Sequence, residues 1–287
     1  MSRLLLVVNP AAGGGRARER ASAVQRVLEE EGWEVTLQFT TSAENATEIL
    51  AECFPGQRVA VMAGDGVLAR ALAGAYESGA VVAPIPGGRG NDLVRVLGVD
   101  QDPLVAARNL SRAAERRIDV GRCNGRFFVG VAIVGIASLA NQVANETKFL
   151  RGTAVYVWGV VRALTTFSPR PFTIEVDGVA QATRAWSLAV GNGQMIGGGM
   201  RICPNAVLDD GLLDVNIISG APRWKVVPLL ASIFDGHHLE MDEVSEIRGE
   251  VVRIESVEPL AVMADGEYID SLPAEFRVEP QAVRVLV

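Results

Sequence analysis

The acidic residues of this 287-residue chain gather where short apolar runs end in glycine. Asp65 stands between Gly64 and Gly66, directly after Val59-Ala60-Val61-Met62-Ala63. Asp92 closes Pro86-Gly87-Gly88-Arg89-Gly90-Asn91, which follows a second apolar run at residues 80–85. Asp119 falls where the patterning of the chain changes. Asp209-Asp210-Gly211 and Asp214 lie in a later loop and strand, and Asp265-Gly266-Glu267 follows the apolar run 260–264. Each of these alone is equally a tight turn, because Asp and Gly suit turn backbones. As a set they supply what phosphoryl transfer needs: loops for phosphates, acid groups for Mg²⁺, and a carboxylate to orient an attacking hydroxyl.

Bare glycine turns let backbone N–H groups approach a phosphate, and the N-terminus of a following helix favours negative charge. Three such turns occur, at Gly13-Gly14-Gly15, at Gly64-Asp65-Gly66 and around Gly88 and Gly90. None matches the P-loop pattern GxxxxGK[ST], and no GxGxxG follows the first strand. The histidines, His237 and His238, are adjacent. A regular element does not turn neighbouring residues to one ligand, which sets histidine-based nucleophilic schemes aside. Cys53, Cys123 and Cys203 are too widely spaced for a zinc pattern or a disulfide framework. A net charge of −7 argues against a general nucleic-acid binder.

These groups need elements to position them. The first hundred residues alternate strand and helix: strands at 4–9, 34–39, 59–63 and 80–85, with helices at 16–31, from about 43 to Cys53, and from Asp102-Pro103 to about Leu110. Ala21, Val24, Val27 and Leu28 share one helix face, and Gly32 stops that helix. This order implies right-handed crossovers and a Rossmann-like parallel sheet, with the glycine turns at the carboxyl ends of its strands. Near Arg117 the pattern changes. Asn124-Gly125 and Asp177-Gly178 are hairpin turns, flanked by strands 117–122 and 126–134, and 172–176 and 179–184. Further strands are expected at 186–190, 212–218, 250–255, 260–264, 275–279 and 283–287, with helices at 136–149, 153–167 and 222–234. The expected organisation is a nucleotide-binding α/β domain over residues 1–120 and an antiparallel β-rich domain over residues 121–287.

On Asn9-Pro10 with Gly13-Gly14-Gly15, Gly64-Asp65-Gly66, and Gly88-Arg89-Gly90-Asn91-Asp92, the chain resembles the diacylglycerol kinase catalytic-domain family, which includes bacterial lipid kinases and sphingosine kinases. The later half agrees, through Gly197-Gly198-Gly199-Met200, the run 204–214 and Asp265-Gly266-Glu267. The resemblance implies an NAD-kinase/diacylglycerol-kinase type of fold, with ATP in the cleft between two domains, Mg²⁺, and transfer of the γ-phosphate to a lipid hydroxyl. It carries ATP binding onto Asn9, Thr40, Gly64, Asp65, Gly66, Val67, Gly88, Arg89, Gly90 and Asn91. It makes Asp265 the proton acceptor and places Glu267, Asp92 and Asp119 in the acidic group that organises catalytic Mg²⁺ and water. It also implies a second, structural metal held by Asp210 with the carbonyls of Val207 and Leu212.

The chain departs from the family pattern GGDGT. Ala63 replaces the first glycine, which is tolerable where φ is negative, and Val67 replaces the threonine and removes a hydroxyl. In the second loop Arg89 stands at the usual threonine position, where a guanidinium can clamp a phosphate by a charge-assisted contact.

The lipid side rests on weaker signals. The run 153–167, with Tyr156, Trp158, Val160, Val161 and Leu164, is either a buried core helix or the wall of an acyl-chain site. Arg108, Arg112, Arg116 and Arg117 form either a solvated helix face or a contact for anionic headgroups. No apolar run reaches the length of a membrane-spanning helix. The expectation is a cytoplasmic enzyme without a transmembrane anchor, working peripherally on a lipid at the membrane surface. Two chains could pair through an exposed edge of the β-rich domain. Rival expectations are a kinase of the same fold acting on a sphingoid base or glycolipid, a lipid- or nucleotide-binding protein that has lost catalysis, and an NAD-kinase-like activity.

Overall fold

The computed structural model describes residues 2–147 and 153–287. In chain order it contains β1 (Ser2–Val8), α1 (Arg16–Glu30), β2 (Trp33–Phe39), α2 (Ala43–Ala51), β3 (Arg58–Ala63), α3 (Asp65–Ser78), β4 (Val81–Pro86), α4 (Asp92–Val96), α5 (Pro103–Asn109) and β5 (Glu115–Cys123). There follow β6 (Arg126–Phe128), β7 (Val131–Gly135), α6 (Ile136–Glu146), α7 (Thr153–Thr166), β8 (Arg170–Val176), β9 (Val179–Gly191) and β10 (Leu213–Ser219). The chain ends with α8 (Arg223–Ser232), β11 (Val244–Gly249), β12 (Val251–Ser256), β13 (Ala261–Ala264), β14 (Glu267–Ser271) and β15 (Ala274–Leu286). These form two units, one of Met1–Asp119 with Gln281–Val287 and the other of Val120–Pro280.

The first unit is the expected α/β domain. β1 pairs in parallel with β2 on one side and β3 on the other, and β3 pairs in parallel with β4. The last residues of β15 add a further parallel strand beside β4, pairing Arg284 with Val81 and Val285 with Val82. The near-continuous apolar sequences of β1, β3 and β4 follow from burial on both faces. Leu4, Leu6, Val8, Ala60 and Met62 pack with Ala21, Val24 and Leu28 of α1, while Val7, Val59 and Val61 are buried on the alternate positions. The helices begin and end on local signals. Ser42 Oγ accepts the Asn45 N–H at 3.1 Å and Asp102 Oδ1 accepts that of Leu104 at 2.8 Å. Gly79 ends α3 with φ +72°. The chain moves outward from β1 to β2, then crosses to β3 on the other side of β1, so the strand order reverses between β1 and β3. Ligands of open α/β sheets bind beyond the carboxyl ends of strands at such a reversal.

The second unit is antiparallel. β9 pairs with β8 over its first half and with both β7 and β10 over its second. β13 links β7 to β14, β12 links β8 to β15, and β11 pairs with β10. Side chains alternate between two cores. Ala132 and Val134 of β7 join Phe128, Ile174, Val190 and Phe276 on one face, and Val131 and Ile133 join Ile136, Ala140, Trp186 and Leu229 beneath the helices on the other. The expected strand 126–134 is broken at Val129-Gly130. The strands expected at 179–184 and 186–190 are one strand, β9, and those at 275–279 and 283–287 are one strand, β15, which passes from this unit into the first. β11 and β14 were not expected from the sequence. The four arginines from Arg108 to Arg117 do not share a helix face: α5 ends at Asn109, a 3₁₀ turn runs over Leu110–Arg112, and Arg116 and Arg117 lie on β5.

Candidate active site

In the first unit the three glycine turns meet at the carboxyl ends of β1, β3 and β4. Asn9 follows β1; its N–H donates to Met62 O at 3.0 Å, and its Oδ1 accepts the Ala11 N–H at 3.1 Å. The Gly87 N–H donates to Ala63 O at 2.9 Å. The backbones then touch. A Cβ on Gly88 would stand 2.6 Å from Gly64 Cα, one on Gly87 would stand 2.9 Å from Ala63 N, and one on Gly13 would stand 2.8 Å from Gly87 O. Glycine is required at these places so that the loops can close on one another. Thr40, at the end of β2, is buried and donates its N–H to Val8 O at 2.9 Å.

Asp65 opens α3 and props the next loop. Its Oδ1 accepts the Leu93 N–H at 3.3 Å, and the nearby backbone N–H groups of Asp92 and Asn91 favour its ionised form. Burial raises its pKa, while these backbone donors pull it down; the net direction is upward. Asn91 holds a left-handed backbone (φ +53°), and its Oδ1 accepts the Gly88 N–H at 2.9 Å. Asp65 and Asn91 therefore fix the second glycine loop from both ends. Ala63 ends β3 without a positive φ, so its Cβ is accommodated. Val67 sits half-buried in the first turn of α3, where backbone N–H groups lack helical acceptors. Arg89 is exposed and reaches the first glycine turn, its Nη2 3.4 Å from where a Cβ on Gly14 would stand. Asp92 is buried in the first turn of α4. Asp119 is fully buried, and its Oδ1 accepts the Gln281 N–H at 2.7 Å. Asp119, expected among the groups around catalytic Mg²⁺, thus also anchors the segment that returns to this unit.

In the second unit Asp265 and Gly266 form the two-residue turn between β13 and β14, with φ +50° and +86°. The turn swings the Asp265 carboxylate onto the break between β6 and β7. Oδ2 accepts the Val129 N–H at 2.9 Å and Oδ1 accepts the Gly130 N–H at 2.8 Å. A Cβ on Gly130 would stand 2.7 Å from Oδ1, so only glycine permits this approach. The sequence pointed to Asp265 but not to its two donors, which are hidden in a continuous apolar run. Glu267 is exposed at the start of β14.

Asp210, expected to hold a second metal, is engaged by groups of the protein. Asp210 Oδ1 accepts the Leu212 N–H at 3.1 Å, and its Oδ2 is paired with the Arg248 guanidinium. Arg248 Nε also lies 3.0 Å from Oδ1 of Asp214, whose side chain is fully buried. A guanidinium thus supplies positive charge to both carboxylates.

A doubly wound α/β unit with a glycine cradle, joined to an antiparallel unit presenting a fixed carboxylate, is the architecture of a phosphotransferase of the kinase class. Residues 3–123 match the diacylglycerol kinase catalytic domain, and residues 130–287 match the YegS C-terminal NAD kinase beta sandwich-like domain. The chain belongs to the diacylglycerol kinase family, together with the YegS-like lipid kinases. It is 34% identical over 295 residues to "Diacylglycerol kinase" of Mycobacterium tuberculosis strain H37Rv, covering 100% of this chain and 95% of that protein. It is 33% identical over 296 residues to "Probable lipid kinase YegS-like" of Pseudomonas aeruginosa strain PAO1, covering 99% and 93%. A solved structure of a diacylglycerol kinase from Bacillus anthracis strain Sterne matches the fold with a TM-score of 0.77 over 99% of this chain and 96% of that one, at 22% identity.

Proposed function

We propose that this chain transfers the γ-phosphoryl group of ATP to the hydroxyl of diacylglycerol or a related lipid, with Mg²⁺. The observation that carries this reading is the carboxylate of Asp265, oriented by two backbone N–H groups. An ordinary Asp, with pKa about 3.9, is a weak base for an alcohol. Its task is to aim the hydroxyl and take the proton late, as the phosphoryl group moves.

The glycine cradle fits a nucleotide's phosphates, because side chains are excluded where Gly64, Gly87 and Gly88 meet and the N–H groups at the start of α3 are available to an anion. Asn9, Thr40, Val67, Arg89, Gly90 and Asn91 belong to the same proposed ATP site. Hard carboxylate oxygens suit Mg²⁺, and on the family resemblance Asp92, Asp119 and Glu267 are carried forward as the proposed groups that organise it. When bound, Mg²⁺ would offset the charge of the phosphates.

For the lipid, the second unit offers an apolar cavity of about 60 Å³, lined by Ile133, Ile136, Ala140, Ile196, Met200 and Ile233 among others. It is too small for an acyl chain as it stands, so a lipid chain would require it to widen. On α7, Trp158 is exposed and Leu164 packs partly against the core, whereas the side chains of Tyr156, Val160 and Val161 lie outside the described residues. Among the described residues no helix is long and apolar enough to cross a membrane, so we propose that the lipid is met at the membrane surface.

The test is transfer from γ-labelled ATP to vesicles of phosphatidylcholine carrying either diacylglycerol, a sphingoid base or a glycolipid, with and without Mg²⁺. Labelled phosphatidic acid that disappears in Asp265→Asn, while ATP still binds, supports the reading. Label on another acceptor would keep the kinase and change the substrate. ATP binding without label on any lipid would support the lapsed enzyme.

A further inference from the structure

The Val129-Gly130 segment that holds Asp265 is itself held from behind. β9 ends at Gly191, and the next residue, Asn192, is fully buried. Its side-chain Nδ2 donates to Val129 O at 2.7 Å. The Asn192 and Gly193 N–H groups both donate to Gly130 O, at 3.0 and 2.9 Å.

The carbonyl of Val129 and the N–H of Gly130 belong to one peptide unit, which is planar and rigid. Its oxygen is bonded to Asn192, and its N–H, pointing the opposite way, donates to Asp265 Oδ1. The chain of contacts runs from Asn192 Nδ2 through this peptide to the carboxylate. Rotating the peptide would break both bonds together. Hydrogen bonds in such a series also polarise one another, so the donor aimed at Asp265 is strengthened by the one behind it. A glycine at 130 has no side chain to limit that rotation, so the restraint must come from its neighbours.

We infer that Asn192 is a positioning residue for Asp265, acting through the Val129-Gly130 peptide. This rests on the role proposed for Asp265. Through its bond to the Val129 carbonyl, Asn192 sets the direction of the amide that does the holding. The competing role is purely structural, in which Asn192 only ties the end of β9 to the neighbouring loop. That role predicts lost folded protein, with no selective loss of the chemical step.

The experiment uses the full chain with Asn192→Ala, Asn192→Ser and Asp265→Asn, assayed with γ-labelled ATP and phosphatidylcholine vesicles carrying diacylglycerol. Hydrogen–deuterium exchange over residues 127–132 is read in parallel. The expected result is a fall in kcat of at least about tenfold in Asn192→Ala, a smaller fall in Asn192→Ser, and a KM for ATP within about twofold of wild type, since a small misplacement of a catalytic group mainly slows the chemical step. Exchange over residues 127–132 should be slow in wild type and at least about tenfold faster in Asn192→Ala. The inference is overturned if kcat stays within about twofold of wild type in the folded variants while Asp265→Asn is inactive. It is also overturned if kcat falls only in proportion to lost folded protein. Should both Asn192 variants fail to fold, rapid exchange at Gly130 in wild type would overturn it. Full turnover in Asp265→Asn would instead remove the role proposed for Asp265, leaving the exchange data to judge the restraint.

Discussion

Gly130 lies so close to Asp265 that a Cβ placed on it would stand 2.7 Å from the carboxylate Oδ1. Gly130→Ala must therefore push the carboxylate away or break its bond to the Gly130 N–H. A displacement of about 1 Å at a catalytic group can lower a rate by about a hundredfold. We expect kcat of this variant to fall by about ten- to a hundredfold while ATP binding, read by a fluorescent analogue, is unchanged. Wild-type kcat would show that Asp265 does not need this position.

Arg89 and Val67 make a paired prediction at the other turn. The Arg89 guanidinium reaches toward Gly14 and would meet a phosphate held there. Arg89→Ala should weaken ATP binding about tenfold, and Val67→Thr should tighten it two- to tenfold, in line with about 0.5–1.5 kcal/mol for a neutral hydrogen bond. Titration calorimetry of both variants and their double mutant would decide. Unchanged affinity in Arg89→Ala would show that the guanidinium does not compensate for Val67.

Asp65 is expected to act on the nucleotide through the loop it supports. Asp65→Ala leaves the Leu93 N–H in α4 without its side-chain acceptor. The loss should destabilise the protein by about 1–3 kcal/mol and weaken ATP binding together. Urea unfolding with and without ATP measures both; a loss of affinity with full stability would make Asp65 a direct ligand.

The Arg248 guanidinium already lies against the carboxylates of both Asp210 and Asp214. The unfolding midpoint of the wild type should then be the same in Mg²⁺ and in EDTA when no nucleotide is present. Arg248→Met strips the fully buried Asp214 of its counter-charge and should destabilise by about 2 kcal/mol, below the range for fully buried pairs because Arg248 is partly exposed. An EDTA-sensitive midpoint in the wild type would restore the metal.

His238 is fully buried, and burial lowers its pKa below the ordinary value. The unfolded chain then binds a proton that the folded one resists. Its contribution to stability is present above about pH 6.5 and is lost as pH falls from there toward the folded pKa. Wild type should therefore lose more stability than His238→Gln between pH 7 and pH 5. Parallel profiles for the two would exclude His238 as the source.

What the sequence disclosed depended on how local the signal was. β1, β3 and β4 are legible because burial on both faces demands continuous apolar runs, and each ends in a glycine turn that only close backbone contact explains. The Asn124-Gly125, Asp177-Gly178 and Asp265-Gly266 turns are legible because left-handed backbone is needed at both positions of each. The break at Val129-Gly130 is not, since Phe127 to Ala132 is one apolar stretch and the bend is imposed by Asp265, far along the chain. β11 and β14 escape because Glu246, Arg248, Glu267 and Asp270 interrupt their apolar patterning at sheet edges. Asn192 escapes because Gly-Asn-Gly has the composition of an ordinary turn, and its partner is a carbonyl, which carries no side-chain signature. The guanidinium of Arg248 beside Asp210 is invisible for a similar reason: the two meet only through the register of β10 and β11.

The return of Gln281–Val287 to the first unit has a consequence for how the protein is made. The parallel strand that flanks β4, and the amide that Asp119 accepts, are supplied by residues synthesised after all of Val120–Pro280. During translation the first unit waits with one side of β4 uncovered while the β-rich half emerges. Its sheet closes last, by a long-range pairing of the kind that folds slowly and leaves an edge open to aggregation until it forms. Released chains ending at Pro280 should expose that edge to proteolysis, and released chains that include Gln281–Val287 should protect it.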